Sequence, residues 1–329
     1  MDKVRWGLLS TAHINRRLIP AIRASQRGEL VAVASRDQIK ANEYARSWGI
    51  PRAFGGYDSM LASDEIDAVY ISLPNHLHAE WTVKALRAGK HVLCEKPLAL
   101  TTDEVDLMIM TSQQTRRVLA DAFMYRHHPQ TILVRDLVQR GDLGQPMLFR
   151  GAFNYTIEDR SDVRLVPEFG GGSLWDVGVY PVTYAQTIFN SVPQSVFGSQ
   201  NSGSLGVDET FIGQLNYSGG QVAQVMSSFQ SPFYTFVEII GTDARLTLNR
   251  PFVGLEDNSQ VMFHPKTGLS YEIPVKSQEL YLGEVEDMHA SILDGKPTYL
   301  RLAESRDYIR TVLALYQSAR DKKTMSLSR

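Results

Sequence analysis

The sequence predicts an α/β domain with a doubly wound parallel sheet over residues 1–122, followed over residues 123–329 by an α+β domain with a mostly antiparallel sheet. Before residue 123, short apolar runs alternate with segments whose apolar residues recur at helical spacing. After it, longer stretches alternate between apolar and polar residues, and helical patterns return only near the end. A chain of 329 residues is longer than a domain with a single typical core, which also favours two domains.

The first domain contains five apolar runs that have the length of strands. Runs that are apolar on both faces and separated by helices indicate parallel strands covered on both sides. The runs are VRWGLLS (4–10), ELVAVAS (29–35), DAVYISLP (67–74), KHVLCEK (90–96) and RVLADAF (117–123).

The second domain begins with strands in which apolar and polar residues alternate, which is typical of an antiparallel sheet. Ser218, Gly219 and Gly220 predict a hairpin turn between two of them. The stretches are MLFRGAFNYTI (147–157), ETFIGQLNYSGGQVAQVMSSF (209–229) and FVEIIGTDARLTLN (236–249). Two helical patterns, EVEDMHASILDG (284–295) and ESRDYIRTVLALYQSARDK (304–322), close the chain.

Charge and composition exclude several classes of function. The chain has 34 basic and 36 acidic residues, a net charge of −2, and no long block of like charge, so we expect no binding to nucleic acid or to a membrane surface. No stretch approaches the roughly 18 apolar residues of a membrane span, and the first residues lack the apolar stretch of a signal peptide. The single cysteine, Cys94, excludes an internal disulfide framework, so we expect a cytoplasmic protein.

The turn after the first strand is where a nucleotide site would lie. A dinucleotide-binding turn normally reads G-x-G-x-x-G, so that the backbone approaches a pyrophosphate at the start of a helix. Here Ser10, Ala12 and Asn15 occupy the three glycine positions. Small residues still allow close approach, and the hydroxyls of Ser10 and Thr11 can bind phosphate or cap the helix. Two interpretations stay open at this point: a nucleotide site, and a tight turn in another kind of α/β protein.

The end of the second strand favours NADP over NAD. NAD sites usually place an acidic residue there for the adenosine ribose, whereas this strand ends in Ser35 and Arg36. A guanidinium suits a bidentate pair with the 2′-phosphate of NADP. The alternatives are that Arg36 is a solvated surface charge, or that Asp37 supplies the acid after a shift of one residue.

Five short motifs occur in order along nearly the whole chain: GLLSTAHI, SRD, SLPNHLHAEW, CEKPLAL and GGGSLWDVGVYPV. Their combination resembles the Gfo/Idh/MocA oxidoreductases, in particular the NADP-dependent sugar dehydrogenases and dihydrodiol dehydrogenases. The resemblance implies an N-terminal Rossmann domain and a C-terminal α+β domain with a large open sheet, through which a homodimer or homotetramer forms. It also implies hydride transfer between nicotinamide and a carbinol or carbonyl carbon.

Lys96 is the predicted catalytic lysine. It ends the run KHVLCEK (90–96), the expected fifth strand of the sheet, and open parallel sheets bind ligands at the carboxyl ends of their strands. Its ammonium would stabilise a developing alkoxide, and by resemblance it matches the lysine of the family. Glu95 would orient it, and Pro97 would fix the backbone beyond it. The alternative is an ion pair between Glu95 and Lys96 at a strand end.

The partner of Lys96 is expected in GGGSLWDVGVYPV, where the glycines at 170–172 allow the backbone to approach a ligand. Tyr180 stands where family members carry His or Tyr, so the resemblance implies a general acid/base there. Asp176 precedes it by four residues, which would place both on one helical face, and would bind a substrate hydroxyl or orient the base. Pro181 leaves the helix uncertain, and the alternative for Tyr180 is a half-buried core aromatic.

Weaker candidates surround these residues. Cofactor contacts are expected from Ser10, Thr11, Ala12, His13, Ile14, Ser35, Arg36, Leu73, Pro74, Asn75, His78, Glu95, Lys96 and Arg126. Substrate contacts are expected from Lys96, Tyr125, Arg164, Trp175, Asp176 and Tyr180, although Arg164 could instead anchor a loop. His76 and His78 form an H-x-H pair without a third ligand in sequence, so no metal is expected.

Two classes of function remain. The first is an NADP-dependent dehydrogenase or reductase of sugars, polyols or related cyclic diols, with NAD as the less favoured cofactor. The second is a non-catalytic NADP-binding regulator, because the same fold also serves that purpose in this family. The presence of Lys96, Asp176 and Tyr180 together argues for the enzyme, since a sensor has no need of a proton relay.

Overall fold

The computed structural model describes residues 2–253 and 260–327. The chain forms two compact units, each assembled from two stretches: Met1–His127 with Tyr281–Arg306, and His128–Leu280 with Asp307–Arg329. The first unit thus contains a late stretch that the sequence interpretation assigned to the second domain. The boundary between residues 122 and 123 stays a prediction about functional domains.

The first unit contains six strands: β1 (Val4–Leu9), β2 (Gly28–Ala34), β3 (Arg52–Phe54), β4 (Ala68–Ile71), β5 (His91–Glu95) and β6 (Leu119–Ala122). All pair in parallel, in the order β3-β2-β1-β4-β5-β6. The predicted doubly wound parallel sheet is confirmed. Because the order reverses between β1 and β4, the carboxyl ends of these two strands border the crevice where such sheets bind ligands.

Five helices connect these strands: α1 (Asn15–Ala24), α2 (Gln38–Trp48), α3 (Tyr57–Leu61), α4 (His78–Arg87) and α5 (Thr102–Thr115). α5 begins at a capping box in which Thr101 and Glu104 bind each other's backbone N–H groups. The short elements β3 and α3 were not predicted, since three and five residues are too few to show a periodicity.

The second unit contains a nine-stranded sheet: β7 (Pro146–Thr156), β8 (Ser195–Ser202), β9 (Asp208–Asn216), β10 (Val222–Ser228), β11 (Gln230–Gly241), β12 (Ala244–Asn249), β13 (Gln260–Pro265), β14 (Tyr271–Ile273) and β15 (Met325–Ser326). The order is β14-β13-β12-β11-β7-β10-β9-β8-β15, and the pairs are antiparallel except β7 with β10. The predicted large, mostly antiparallel sheet is confirmed, as is the hairpin turn at 218–220 between β9 and β10.

One face of this sheet is less covered than the other. On β7, Phe149 and Phe153 point into the core, whereas the alternate residue Leu148 is 44% exposed. On β9, Phe211 is buried and its neighbour Ile212 is 53% exposed. The sheet therefore presents apolar side chains on its outer face.

The remaining helices are α6 (Pro129–Gln139), α7 (Val179–Phe189), α8 (Leu282–Asp294) and α9 (Leu302–Asp321). The sequence interpretation expected α8 to close the second domain, but α8 packs into the first unit. Trp6 on β1 donates its indole N–H to His289 Nε2 at 2.9 Å, and His289 Nδ1 lies 3.0 Å from Ser25 Oγ. These groups are buried, so the late stretch completes the core around β1.

Candidate active site

The Lys96 turn, residues 95–97, begins at Glu95, the last residue of β5 in the first unit. The Glu95 carboxylate accepts a hydrogen bond from the Tyr70 hydroxyl on β4, and another of 3.2 Å from the backbone N–H of Lys96. Burial, and next the Glu95 carboxylate, raise the pKa of Tyr70 well above its ordinary value, so this hydroxyl remains a donor. The predicted catalytic lysine therefore leaves the sheet from a strand end that is anchored to the neighbouring strand.

His78, the first residue of α4, is fully buried and contacts the Lys96 turn. Its Nδ1 lies 2.8 Å from the Pro97 carbonyl and its Nε2 lies 2.8 Å from the Leu73 carbonyl. Burial lowers the pKa of His78. The two carbonyls act in the other direction, because they stabilise the charged form of the ring. Because both nitrogens face backbone carbonyls, the ring holds two loops together. A contact of His78 with a cofactor stays a prediction.

The turn between β1 and α1 is closed by polar side chains. Ser10 Oγ accepts from the Ala12 N–H at 3.0 Å and lies 2.8 Å from Ser72 Oγ, just beyond β4. Asn15 donates to the Ser10 carbonyl and accepts from the Ser72 hydroxyl. The residue at the third glycine position thus ties the first turn to the fourth strand.

The other residues of this turn lie at its surface: Thr11, Ala12 and Ile14 are half-buried and His13 is exposed. The expected capping of α1 by Ser10 or Thr11 is not observed, because the helix begins after Ile14 without a side-chain cap. The first turn of α1 also carries no acidic residue. Its positive dipole end is therefore not offset by a carboxylate of its own, which fits a phosphate group.

The end of β2 bears on whether Asp37 serves as the acidic residue that would bind the adenosine ribose. Asp37 is the N-cap of α2, and its carboxylate accepts from the Ile39 N–H at 2.8 Å and from the Lys40 N–H at 3.3 Å. Ser35 is buried and Arg36 is exposed. The acid is thus engaged in its own helix, and a guanidinium stands at the strand end, an arrangement that fits a 2′-phosphate.

Two further groups of predicted cofactor and substrate residues follow β4 and β6 in the first unit and reach into short 3₁₀-helices. After β4, Leu73 is buried and Pro74 and Asn75 are half-buried. Tyr125 is fully buried, and its contact with a substrate stays a prediction. Arg126 is buried and makes a 3.0 Å ion pair with Glu304, so its charge is balanced within the unit. Contacts of Leu73, Pro74, Asn75 and Arg126 with a cofactor stay predictions.

The Tyr180 segment, residues 172–180, joins a glycine turn to α7 in the second unit. It contains a π-helix over Leu174–Gly178 and passes into α7 at Val179. The predicted helical segment is therefore present, in a wider form that is frequent at functional sites. Pro181 is the third residue of α7 and supplies no backbone N–H to the helix that continues from the π-helix.

Asp176 is held by two side chains of the second unit. The Tyr155 hydroxyl donates to Asp176 Oδ2 at 2.6 Å, and Arg164 Nε lies 3.3 Å from the same oxygen. Arg164 also pairs with Asp162 at 3.2 Å, so it anchors its loop and contacts the predicted substrate residue at once. Burial, and next Asp176, raise the pKa of Tyr155, which keeps it protonated as a donor. The arrangement presents an oriented carboxylate.

Tyr180 lies in an aromatic environment and is 5% exposed. Its ring centroid is 5.3 Å from that of Phe153 and 5.4 Å from that of Phe252. Trp175 is also buried, with its ring 5.8 Å from that of Tyr316. A contact between Trp175 and a substrate stays a prediction.

Three polar residues near the predicted site carried no sequence signal strong enough to assign a role. Tyr155 bonds to Asp176 across 21 positions of the chain, a contact that no local motif indicates. Tyr70 lies within an apolar run, and Asp208 opens an alternating strand. A hydroxyl inside a run buried on both faces is the one signal that could have indicated Tyr70, because it needs a partner.

Within residues 2–253 and 260–327, no group of three or more His, Cys, Asp or Glu side chains is arranged to hold a metal ion. Over the same residues, no helix combines the length and the apolar character that crossing a membrane requires.

A doubly wound sheet with an uncapped first helix and a lysine at the end of β5 is the architecture of a dinucleotide-dependent oxidoreductase. Two family models match the chain. Residues 4–123 match the oxidoreductase family with an NAD-binding Rossmann fold, and residues 131–247 match the GFO/IDH/MocA C-terminal domain. The chain belongs to the Gfo/Idh/MocA family of oxidoreductases, as the sequence motifs predicted.

Similar proteins cover nearly the whole chain. An uncharacterized oxidoreductase of Rhizobium meliloti is 36% identical over 97% of this chain and 98% of its own length. The D-xylose 1-dehydrogenase (NADP(+)) 2 of Haloferax volcanii is 36% identical, over 95% and 97%. The crystal structure of a 3-ketoreductase from Actinomadura kijaniata in complex with NADP and TDP-benzene has a TM-score of 0.90 at 28% identity, covering 96% of this chain and 98% of the other.

Proposed function

We propose that the protein transfers a hydride between NADP(H) and a carbinol or carbonyl carbon of a sugar, a polyol or a related cyclic diol. Residues 1–122 would bind the cofactor, and residues 123–329 would bind the substrate. The observation that carries the proposal is the position of Lys96 directly beyond β5, at the edge of the sheet where ligands of such folds bind.

The cofactor proposal rests on the end of β2. Arg36 is exposed there, and one carboxylate oxygen of Asp37 caps α2. Ser10, Ala12 and the start of α1 would receive the pyrophosphate, and Arg36 the 2′-phosphate. When bound, the nicotinamide supplies or accepts the hydride. A relative named for NADP and a neighbour solved with NADP support this choice over NAD.

The protein's own residues would manage the proton. Lys96 would donate a charge-assisted hydrogen bond to the reacting oxygen and stabilise the negative charge that develops on it. Tyr180 would take the proton of the hydroxyl in oxidation and return it in reduction. Asp176, oriented by Tyr155 and Arg164, would accept a hydrogen bond from a second hydroxyl of the substrate.

A polyhydroxylated substrate fits the polar cluster of the second unit. The cluster of Tyr155, Arg164 and Asp176 offers a carboxylate with remaining acceptor capacity, which suits a diol. The sugar named in the Haloferax relative supports this class. The buried cysteine, Cys94, agrees with action in a reducing cytoplasm.

We further propose that the outer face of the nine-stranded sheet pairs two copies of the chain into a homodimer or homotetramer. Exposed Leu148 and Ile212 lie on this face and would be buried by the contact. Light scattering on the purified protein should give a mass of two or four chains, and Ile212→Lys should lower it; a monomer at micromolar concentration would contradict the proposal.

The first experiment is a fluorescence titration of the protein with NADPH and with NADH, followed by assays on aldoses, ketosugars, cyclitols and dihydrodiols. We expect tighter binding of NADPH and turnover of one substrate group. Lys96→Met should lower kcat by roughly 10²–10³-fold or more, while NADPH still binds. Tighter binding of NADH would contradict the role of Arg36. Binding of NADPH without turnover by the parent would favour a nucleotide-binding regulator.

A further inference from the structure

Asp208, the first residue of β9, is 2% exposed and contacts the start of the Tyr180 segment. Its Oδ2 accepts from the Leu174 backbone N–H and from the Ser173 hydroxyl, both at 2.8 Å. Its Oδ1 accepts from the Tyr316 hydroxyl on α9 at 2.6 Å. Three donors therefore converge on one carboxylate that no motif indicated.

The backbone of the Tyr180 segment is shaped around this carboxylate. Gly172 has a φ of +122°, and a Cβ built there would lie 2.1 Å from Asp208 Oδ1. Ser173 Oγ lies 3.0 Å from Ser227 Oγ on β10. The start of the segment is thus attached to two strands and leaves no room for a side chain at residue 172.

We propose that the ionised Asp208 carboxylate is a positioning residue that holds the first turn of the π-helix and thereby sets how Asp176 and Tyr180 are presented. The Leu174 N–H is one of the donors that a helix start leaves without an intrahelical partner, and a carboxylate there also opposes the helix dipole favourably. Asp208 acts on these two residues through the segment start that it holds, by its bonds to Ser173 and Leu174. The inference rests on the function proposed above for Asp176 and Tyr180.

The charge on this carboxylate changes within the pH range of ordinary assays. Burial raises the pKa of Asp208 to about 6, while the bonds from Tyr316, Ser173 and Leu174 lower it in opposition. The titratable group that faces it from α9 is Tyr316, whose own pKa is raised well above its ordinary value by burial and then by Asp208. On the β10 side, the Ser173 hydroxyl that bonds to Asp208 also contacts the hydroxyl of Ser227, which carries no charge.

Protonation of Asp208 would loosen the segment. It converts an acceptor oxygen into a donor, so one of the present donors must turn away. The bonds that remain become neutral ones, which are roughly half as strong as charge-assisted bonds. We therefore expect kcat to fall below about pH 6 as the Tyr180 segment loses its fixed position.

Three variants test this assignment with the substrate group that the assays proposed above identify. Asp208→Asn keeps the shape of the side chain and imitates its protonated form, so kcat should be lower by about three- to tenfold near pH 8 and equal to the parent near pH 5. Tyr316→Phe removes a bond that lowers the Asp208 pKa, so the acid limb of kcat should move to higher pH.

The matched control is Glu209→Gln. Glu209 is the next residue of β9, is equally buried, and pairs with Arg160 at 2.6 Å instead of with the Tyr180 segment. Its variant should keep the parent's kcat and acid limb. An acid limb that stays in place in both Asp208→Asn and Tyr316→Phe would overturn the proposal, as would an equal loss in Glu209→Gln.

Hydrogen exchange supplies a readout that does not need turnover. The Leu174 amide should exchange at least several-fold faster in Asp208→Asn than in the parent or in Glu209→Gln, after correction for intrinsic rates. Unchanged exchange would overturn the positioning role. Faster exchange in a protein whose parent turns over no substrate would keep the positioning role and contradict the proposed function alone.

Discussion

The Lys96 turn and the Tyr180 segment are held in place by opposite means. The Lys96 turn is held by a buried imidazole, His78, whose nitrogens face two backbone carbonyls. The Tyr180 segment is held by a buried carboxylate, Asp208, which accepts from a backbone N–H and two hydroxyls. One device is a donor and the other is an acceptor.

The two devices should respond to acid in opposite directions. A proton added to His78 gives each of its carbonyls a donor, whereas a proton added to Asp208 removes an acceptor from its donors. The pKa of His78 is lowered by burial, and burial raises the pKa of Asp208 to about 6. Acid should therefore loosen the Tyr180 segment and leave the Lys96 turn intact.

The largest effect is expected at the end of the Tyr180 segment. Tyr180→Phe keeps the ring contacts with Phe153 and Phe252 but removes the proton donor, so kcat should fall about 10²–10⁴-fold with little change in KM. Tyr184→Phe is the control, because Tyr184 lies one turn later on α7 and packs on the same Phe252. Steady-state kinetics that show equal losses in both variants would mean that the hydroxyl of Tyr180 is not catalytic.

A second prediction concerns His289 and the effect of acid on the stability of the first unit. Burial lowers the pKa of His289 to about 4, below its unfolded value of 6.5. The unfolded chain therefore binds more protons between these values, and the free energy of unfolding should fall by up to about 3 kcal/mol as pH decreases from 6.5 to 4. In urea unfolding, His289→Gln should show a smaller fall over this range. Gln can still accept from Trp6 and donate to Ser25, so an identical pH dependence would place the acid sensitivity elsewhere.

A third prediction addresses His78 directly. His78→Leu leaves the Leu73 and Pro97 carbonyls without this donor, so we expect a loss of about 1–3 kcal/mol in stability and about tenfold in kcat. The kcat deficit should persist near pH 5, where that of Asp208→Asn disappears. Recovery of part of the activity in His78→Gln, which keeps donor hydrogens, would support the donor role. A deficit that vanishes in acid would break the contrast between the two regions.

The smallest effect is expected at Asp176. Tyr155→Phe removes one hydrogen bond to its carboxylate and should raise KM about tenfold or less, with a minor change in kcat. Tyr234→Phe, at an exposed tyrosine of β11, serves as the control. A drop in kcat alone would indicate that Tyr155 acts on the proton transfer and not on substrate binding.

The sequence predicted what depends on local pattern. Runs buried on both faces predicted β1, β2, β4, β5 and β6, and the motif order predicted the family. The contacts of Asp208 and His78 were not predictable, because each joins a side chain to the backbone of a separate loop, as in the bond from Leu174 to Asp208 across 34 positions. The placement of α8 rests on a bond between Trp6 and His289, 283 residues apart. Periodicity indicates that such a helix has a buried face, but not which core receives it.

The late stretch at 281–306 affects when the first unit can fold during synthesis of the chain. Domains generally fold from the N-terminus as the chain is synthesised. Here Trp6, near the start, receives its partner His289 only when most of the chain has been translated. The six-stranded unit therefore cannot close its core early, and a ribosome stalled after residue 127 would hold a sheet whose first strand still lacks part of its cover.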